Sequence, residues 1–482
     1  MAAPPSYGDT SPIAAIATPL GESALAVIRT SGPGAVGLLS EAFSRPRTLR
    51  GAPGNTVVHG WIIEAAPPHA RIDEAVISVY RAPRSYTGEE SADISCHGGA
   101  APALAVMRAL RAAGFRDSLP GEFTFRAFMN GKLDLTRAES VMEMVSAKTD
   151  AGRERAVLRL SGALESEIQA VKALLVQALA GMELLLDYSE DEADPAGPPE
   201  NIPLLEEALA RLRVLAASYC RERLYRDGAL AVIAGRPNAG KSSLFNYLLR
   251  EDRSIVTSIP GTTRDWIEAW IAIEGIPIRL ADTAGLHDTQ DPVERLGIER
   301  SRQLLSGADL VLYLIDGGAG VTEEDRAFMD HSQERIDRGE GFAPLIPVWN
   351  KDDIAPMPTA LPLRLPATAS PPIGISVKTG DGIPALTSRI AASLKAALGA
   401  ADSGGGGAAS SGAGIATARQ QELISAALDA AEEALALEAG NLPLDLAASR
   451  LREAVNALGE ITGEVSTAEI LETLFSRFCV GK

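Results

Sequence analysis

The sequence predicts a multidomain protein of α/β plus α class, and three patterns predict it. Apolar, β-rich runs broken by Gly and Pro turns occupy about the first 130 residues. Amphipathic helical patterns follow, with apolar residues three and four apart. From 229 to 395 short apolar runs alternate with helical ones, the arrangement of a mostly parallel sheet covered by helices. A length of 482 residues suits about three domains.

In the first region the expected strands are 13–17, 24–29, 57–63, 74–80 and 92–96, with a helix over 101–113 that stops at Gly114. At Thr136 the pattern changes. Thr136 and Glu139 have the spacing of a capping box, and from there to Asp187 the chain has no Pro and only Gly152, Gly162 and Gly181. The acidic, Pro-containing run 189–199 interrupts the helices, which resume over 204–224. Strands are expected at 229–234, 267–273, 276–281, 310–315 and 345–349. Residues 401–414 have a flexible-linker composition, and 416–439 and 444–458 are helical again. Helical segments on both sides predict that the α/β unit, 227–398, is inserted into one helical domain made of 132–226 and 399–482. An N-terminal α/β domain, 1–131, precedes them.

Composition narrows the class. With 46% hydrophobic and 22% charged residues the chain is neither disordered overall nor fibrous. No uninterrupted apolar run reaches about 18 residues, so no spanning helix is expected. The first residues lack the basic start and apolar core of a secretory signal. Cys96, Cys220 and Cys479 are too scattered for a disulfide framework or a metal knuckle. The expectation is a soluble protein of the reducing cytoplasm. Charge is uneven: residues 1–131 carry 11 Arg, no Lys and 11 acids, so the remainder carries the whole net −18. That balance argues against a nonspecific polyanion binder.

The chemistry concentrates in the α/β region. Gly235-Arg-Pro-Asn-Ala-Gly240-Lys241-Ser242 follows an apolar run and precedes a helical one, as a phosphate-binding loop requires. Its amides curl round phosphates, Lys241 neutralises the β/γ oxygens and the Ser242 hydroxyl reaches Mg2+. Asp282-Thr283-Ala284-Gly285 ends another apolar run, where the Asp serves Mg2+ and the Gly amide serves the γ-phosphate. Asn350-Lys351-Asp-Asp353 ends a third; the Asp353 carboxylate accepts from the N1 and 2-amino donors of guanine, a pair that adenine lacks. Ser376-Val377-Lys378 supports the base edge, and Gly261-Thr262-Thr263 is placed for a switch segment with Thr263 on Mg2+. The reading is GTP binding.

Hydrolysis needs parts that the motifs do not name. Leu286 stands where Ras-type proteins carry a water-orienting Gln. The carboxylates of Asp288, Asp291, Glu294 and Glu299 are the nearby alternatives. No arginine finger is assignable, and a monovalent cation can fill that electrostatic role. Asn238 offers a side-chain carbonyl to such an ion, and the segment 254–261 offers backbone carbonyls.

These loops, with 293–300 (Val-Glu-Arg-Leu-Gly-Ile-Glu-Arg), resemble the tRNA modification GTPase family MnmE (TrmE). So do Ile16-Ala-Thr-Pro19, Tyr86-Thr-Gly-Glu-Glu90, Cys96-His-Gly-Gly99, the segments 120–128 and 130–134, and Phe478-Cys-Val-Gly-Lys482. The resemblance runs from about residue 10 to Lys482. It implies an N-terminal domain that binds a tetrahydrofolate derivative (5,10-methylene or formyl) and mediates homodimer formation. It also implies a helical domain with an inserted Ras-like GTPase domain whose activity K+ and dimerisation raise. An FAD-dependent MnmG-type subunit is the implied partner, and C5 of the wobble uridine (position 34) of certain tRNAs the implied target, receiving an aminomethyl-type group.

By matching position, the resemblance assigns K+ to Asn238, Thr257, Ile259 and Thr262, Mg2+ to Ser242 and Thr263, and the orientation of water to Glu294. Ala239, Gly240, Lys241, Ser243, Ser258, Thr283, Ala284 and Gly285 complete the implied nucleotide set. Arg29, Glu89, Lys132 and Lys482 match folate-contacting positions, and Cys479 a suspected functional thiol. Val377 departs from the usual Ala, with little effect expected because the backbone supplies the contact. A GTP-switched ribosome-assembly or binding module without modification chemistry is the alternative class; it would need no folate pocket.

Overall fold

A computed structural model describes residues 6–64, 67–187, 201–251, 268–282, 304–340, 342–397, 399, 414–440 and 442–482. It divides into two compact units, Met1–Met142 with Gly459–Lys482, and Glu143–Leu458.

The first unit is built on a six-stranded sheet of order β3-β4-β5-β2-β1-β6. Its strands are β1 (Ile13–Ile16), β2 (Leu25–Ser31), β3 (Thr56–Ile63), β4 (Arg71–Tyr80), β5 (Ser91–His97) and the short β6 (Arg116–Asp117). All neighbours run antiparallel except β1 and β6. Alternation along β4 sends Asp73, Ala75, Ile77 and Val79 to the buried face. On that face lie helices α1 (Ala35–Leu39), α2 (Pro46–Gly51) and α3 (Ala100–Ala113), whose Val106, Met107 and Leu110 meet Ile28, Ile77 and Ile94. Burying such side chains contributes about 1.5–3 kcal/mol each.

Helix α4 (Glu122–Met129) carries Phe125, which meets Phe475 of the last helix, Ala468–Phe475, edge-on at 5.5 Å. The final residues thus pack into the first unit. Helix α5 (Leu135–Ser146) is capped two residues earlier than the Thr136–Glu139 spacing predicts. Asp134 Oδ1 accepts from the amides of Thr136 and Arg137, because a carboxylate accepts better than a hydroxyl at a helix N-terminus.

The second unit holds long helices and the second sheet. Helix α6 (Asp150–Leu160) is capped by Thr149, and α7 (Ala163–Asp187) packs along α8 (Asn201–Asp227). One helix among the described residues, Ala163–Leu186, is long and apolar enough by composition to cross a membrane. The criterion of an uninterrupted apolar run passes over it because Glu165, Glu167, Lys172 and Glu183 interrupt the sequence. Its Leu164, Ile168, Val171, Leu175 and Met182 are buried at helical spacing, as in a bundle core.

The sheet has order β12-β11-β10-β7-β9-β8: β7 (Ala229–Gly235), β8 (Glu268–Ile273), β9 (Ile276–Asp282), β10 (Leu310–Asp316), β11 (Leu345–Asn350) and β12 (Ile373–Ile375). Only β8 runs antiparallel to its neighbour. The inner strands β7, β10 and β11 are buried on both faces, as their unbroken apolar runs require. Helices α9 (Lys241–Glu251), α10 (Glu323–Asp337) and α11 (Ile383–Ala397) belong to this sheet's connections. Helix α12 (Ala418–Ala439), with a Thr417–Gln420 capping box, packs on α8, and α13 (Leu444–Thr462) follows.

Candidate nucleotide site

The site lies at the carboxyl ends of β7, β9 and β11, where an open parallel sheet places ligands. The loop from β7 to α9 turns sharply with Gly235 at φ 139°, Asn238 at φ 63° and Gly240 at φ 98°. A Cβ on Gly235 would stand 2.4 Å from the Leu314 carbonyl oxygen, and one on Gly240 would stand 2.2 Å from Asn350 Nδ2. Neither position has room for a side chain. Asn350 Nδ2 donates to the Ala239 carbonyl at 2.8 Å, so the end of β11 is tied to the loop.

Lys241 is 4% exposed, and its Nζ donates to the carbonyls of Gly235 and Arg236 at 2.8 and 2.7 Å. Burial lowers its pKa, and Asp282 opposes that effect. An anion beside this ammonium would offset the desolvation. Ser242 Oγ donates to Asp282 Oδ2 at 2.7 Å. This hydroxyl and carboxylate are hard oxygen donors beside the phosphate loop, the donor set that Mg2+ takes together with phosphate oxygens. At the other end Ser376 Oγ donates to Asp353 Oδ1 at 2.7 Å, fixing the carboxylate, and the Val377 amide donates to Asn350 Oδ1 at 3.4 Å.

Between these ends lies a cavity of about 690 Å³ lined by Asn238, Gly240, Lys241, Ser242, Ser243, Asn350, Lys351, Asp353, Ser376, Val377 and Lys378. The structure therefore brings together eleven residues that the motifs single out, with Asp282 and Ala239 directly behind them. Thr257, Ser258, Ile259, Thr262, Thr263, Thr283, Ala284, Gly285 and Glu294 lie outside the described residues. Pro237 of the loop motif also lines the cavity, as does Ile354, which motif reading passes over. Motif reading also passes over Asp316, which holds Lys351. Its only sequence signal is an acid at a strand's carboxyl end.

In the first unit β2 gathers a second set. Arg29 Nε pairs with Asp93 Oδ1 at 3.1 Å, its NH1 donates to the Gly481 carbonyl at 3.5 Å, and its guanidinium lies 5.7 Å from the Tyr86 ring centroid. Two residues on, Ser31 Oγ donates to Glu89 Oε2 at 2.8 Å, and Arg126 pairs with the same carboxylate at 3.1 Å. Lys132 Nζ donates to the Pro83 carbonyl at 3.2 Å. Lys482 follows Gly481, and Cys479 is an exposed free thiol. Sequence reading left Asp93 and Arg126 without a role. Their pairing with residues 64 and 37 positions away in the chain has no local signal.

A glycine loop at the end of a parallel strand, a buried lysine, a Ser–Asp pair and a carboxylate at the base end define a P-loop nucleotide-binding protein. Residues 135–479 match the family profile of the MnmE helical domain, and residues 12–132 that of the GTP-binding protein TrmE N-terminus. The tRNA modification GTPase MnmE of Treponema denticola is 42% identical over 489 residues, covering 99% of either chain. That of Symbiobacterium thermophilum is 40% identical over 475 residues, covering 98% of this chain and 99% of the relative. Among solved structures, the G domain of the T. maritima FeoB iron transporter is 26% identical, covering 34% of this chain and 98% of its own, with a TM-score of 0.25. The chain belongs to the MnmE family of tRNA modification GTPases.

Proposed function

We propose that the chain is a K+-activated GTPase that works as a homodimer, with an FAD-binding MnmG-type subunit, on C5 of the wobble uridine of certain tRNAs. A tetrahydrofolate derivative serves as the one-carbon donor, and the cytoplasm is the site of action. The observation that carries the nucleotide part is the double tie at the cavity's base end, Ser376 to Asp353 and Asn350 to Ala239. It presents one fixed carboxylate to a guanine edge while holding the phosphate loop.

In this reading Lys241 and the loop amides hold the β- and γ-phosphates, and Ser242 and Thr263 hold Mg2+, which neutralises charge on the phosphate oxygens. Asn238, with the carbonyls of Thr257, Ile259 and Thr262, holds K+, and Glu294 orients the attacking water. Arg29, Glu89, Lys132 and Lys482 take the folate; the meeting of Arg29 with Gly481, and of Ser31 with Glu89, supports a shared pocket there. The working division is 1–131 for folate and dimer contacts, 227–398 for GTP, and 132–226 with 399–482 for the helical domain.

The test is GTP hydrolysis in matched K+ and Na+ salts. We expect at least a tenfold faster rate in K+. Glu294→Ala should slow hydrolysis by about a hundredfold with GDP affinity unchanged. Equal rates in both salts would remove the cation from the account, and normal turnover in the variant would move the water-orienting role elsewhere.

A further inference from the structure

Asp316 closes β10 and does not line the cavity, yet it is the partner of a residue that does. Its Oδ2 accepts from Lys351 Nζ at 2.7 Å, and its Oδ1 accepts from the Gly318 amide at 3.0 Å. Burial acts to raise its pKa, but the Lys351 ammonium and the Gly318 amide outweigh that and hold the carboxyl below its ordinary value. Lys351 sits between Asn350 and Asp353 on the cavity wall with φ 65°, a left-handed backbone that few residues with a Cβ adopt. A free lysine stem samples many rotamers. Here the stem is pinned at both ends, by the backbone turn and by Asp316. Lys378, the other lysine near the base end, has no ion-pair partner among the described residues.

We infer that Asp316 is a positioning residue of the nucleotide site: by holding the Lys351 ammonium it fixes the lysine stem as an apolar wall beside the guanine face. It thereby sets nucleotide affinity without touching the nucleotide. This inference rests on the reading of the cavity as a guanine-nucleotide site. The benefit is preorganisation, since a wall already in place loses no rotamer freedom when the base arrives.

The experiment uses the full chain and two substitutions. Asp316→Asn keeps an acceptor for the Gly318 amide and removes the charge that holds Lys351. Lys351→Met keeps an unbranched stem and removes the ammonium. For Asp316→Asn we expect the GDP dissociation constant and the KM for GTP to rise about tenfold with kcat unchanged. The double variant should be no weaker than the weaker single one. Wild-type affinity in Asp316→Asn would overturn the inference. So would a multiplied loss in the double variant, or a fall in kcat at constant KM, which is what a lost fraction of folded protein gives. Failure of the unaltered chain to bind GDP would instead refute the site assignment itself.

Discussion

Replacing Asp353 by Asn should weaken GTP binding about a hundredfold, the scale for leaving paired donors unsatisfied in a desolvated site. The carboxylate is held by Ser376 Oγ at 2.7 Å, so its free lone pairs face the cavity and suit two parallel donors, as on N1 and the 2-amino group of guanine. An amide in that place turns one acceptor into a donor. That donor opposes the guanine 2-amino group but matches the C2 carbonyl of xanthine, while the remaining amide oxygen still accepts from N1–H, so affinity for xanthosine triphosphate should rise as that for GTP falls. Competition against a fluorescent GDP analogue measures both. Unchanged GTP affinity in the variant would place the base elsewhere.

The second large effect is on stability. Arg159 is 2% exposed; its Nε pairs with Glu143 at 2.8 Å and its NH1 with Glu222, itself fully buried, at 2.9 Å. Arg155 and Arg221 also meet Glu222. This network joins α5, α6 and α8. Truncating Arg159 leaves buried carboxylate charge under-compensated and opens a cavity where the largest fully buried side chain among the described residues stood. Arg159→Ala should therefore cost about 3–5 kcal/mol. At about 2–4 °C per kcal/mol the melting temperature should fall by roughly 10 °C. Arg153→Ala, on the same helix but exposed and paired with exposed Asp150, should change stability by no more than about 0.5 kcal/mol. Similar losses in the two variants would contradict the role of the buried network.

What could be read from the residues and what could not divides by range. Ten of the twelve described strands stand within a few residues of their expected places, because alternation in β4 and unbroken apolar runs in β7, β10 and β11 are local patterns; the two- and three-residue edge strands β6 and β12 are too short to carry one. The phosphate loop and the base-edge motifs were equally legible, since each gathers its chemistry within a few consecutive residues. Long-range pairings were not. Arg159 reads as one more charge on an amphipathic helix until Glu222, 63 residues on, is brought against it. Asp316 meets Lys351 across 35 residues, and Arg29 meets Gly481 across 452. The cap of α5 misled because two acceptors, Asp134 and Thr136, compete within three residues, and the stronger one, the Asp134 carboxylate, takes the amides.

The most direct test of the account is a titration of the purified chain with GTP and with ATP in Mg2+ and K+, followed by competition with GDP and ADP. The account predicts saturable binding of the guanine nucleotides alone, lost when Lys241 is replaced by Ala. Comparable affinity for ATP, or binding that survives loss of Lys241, would contradict it.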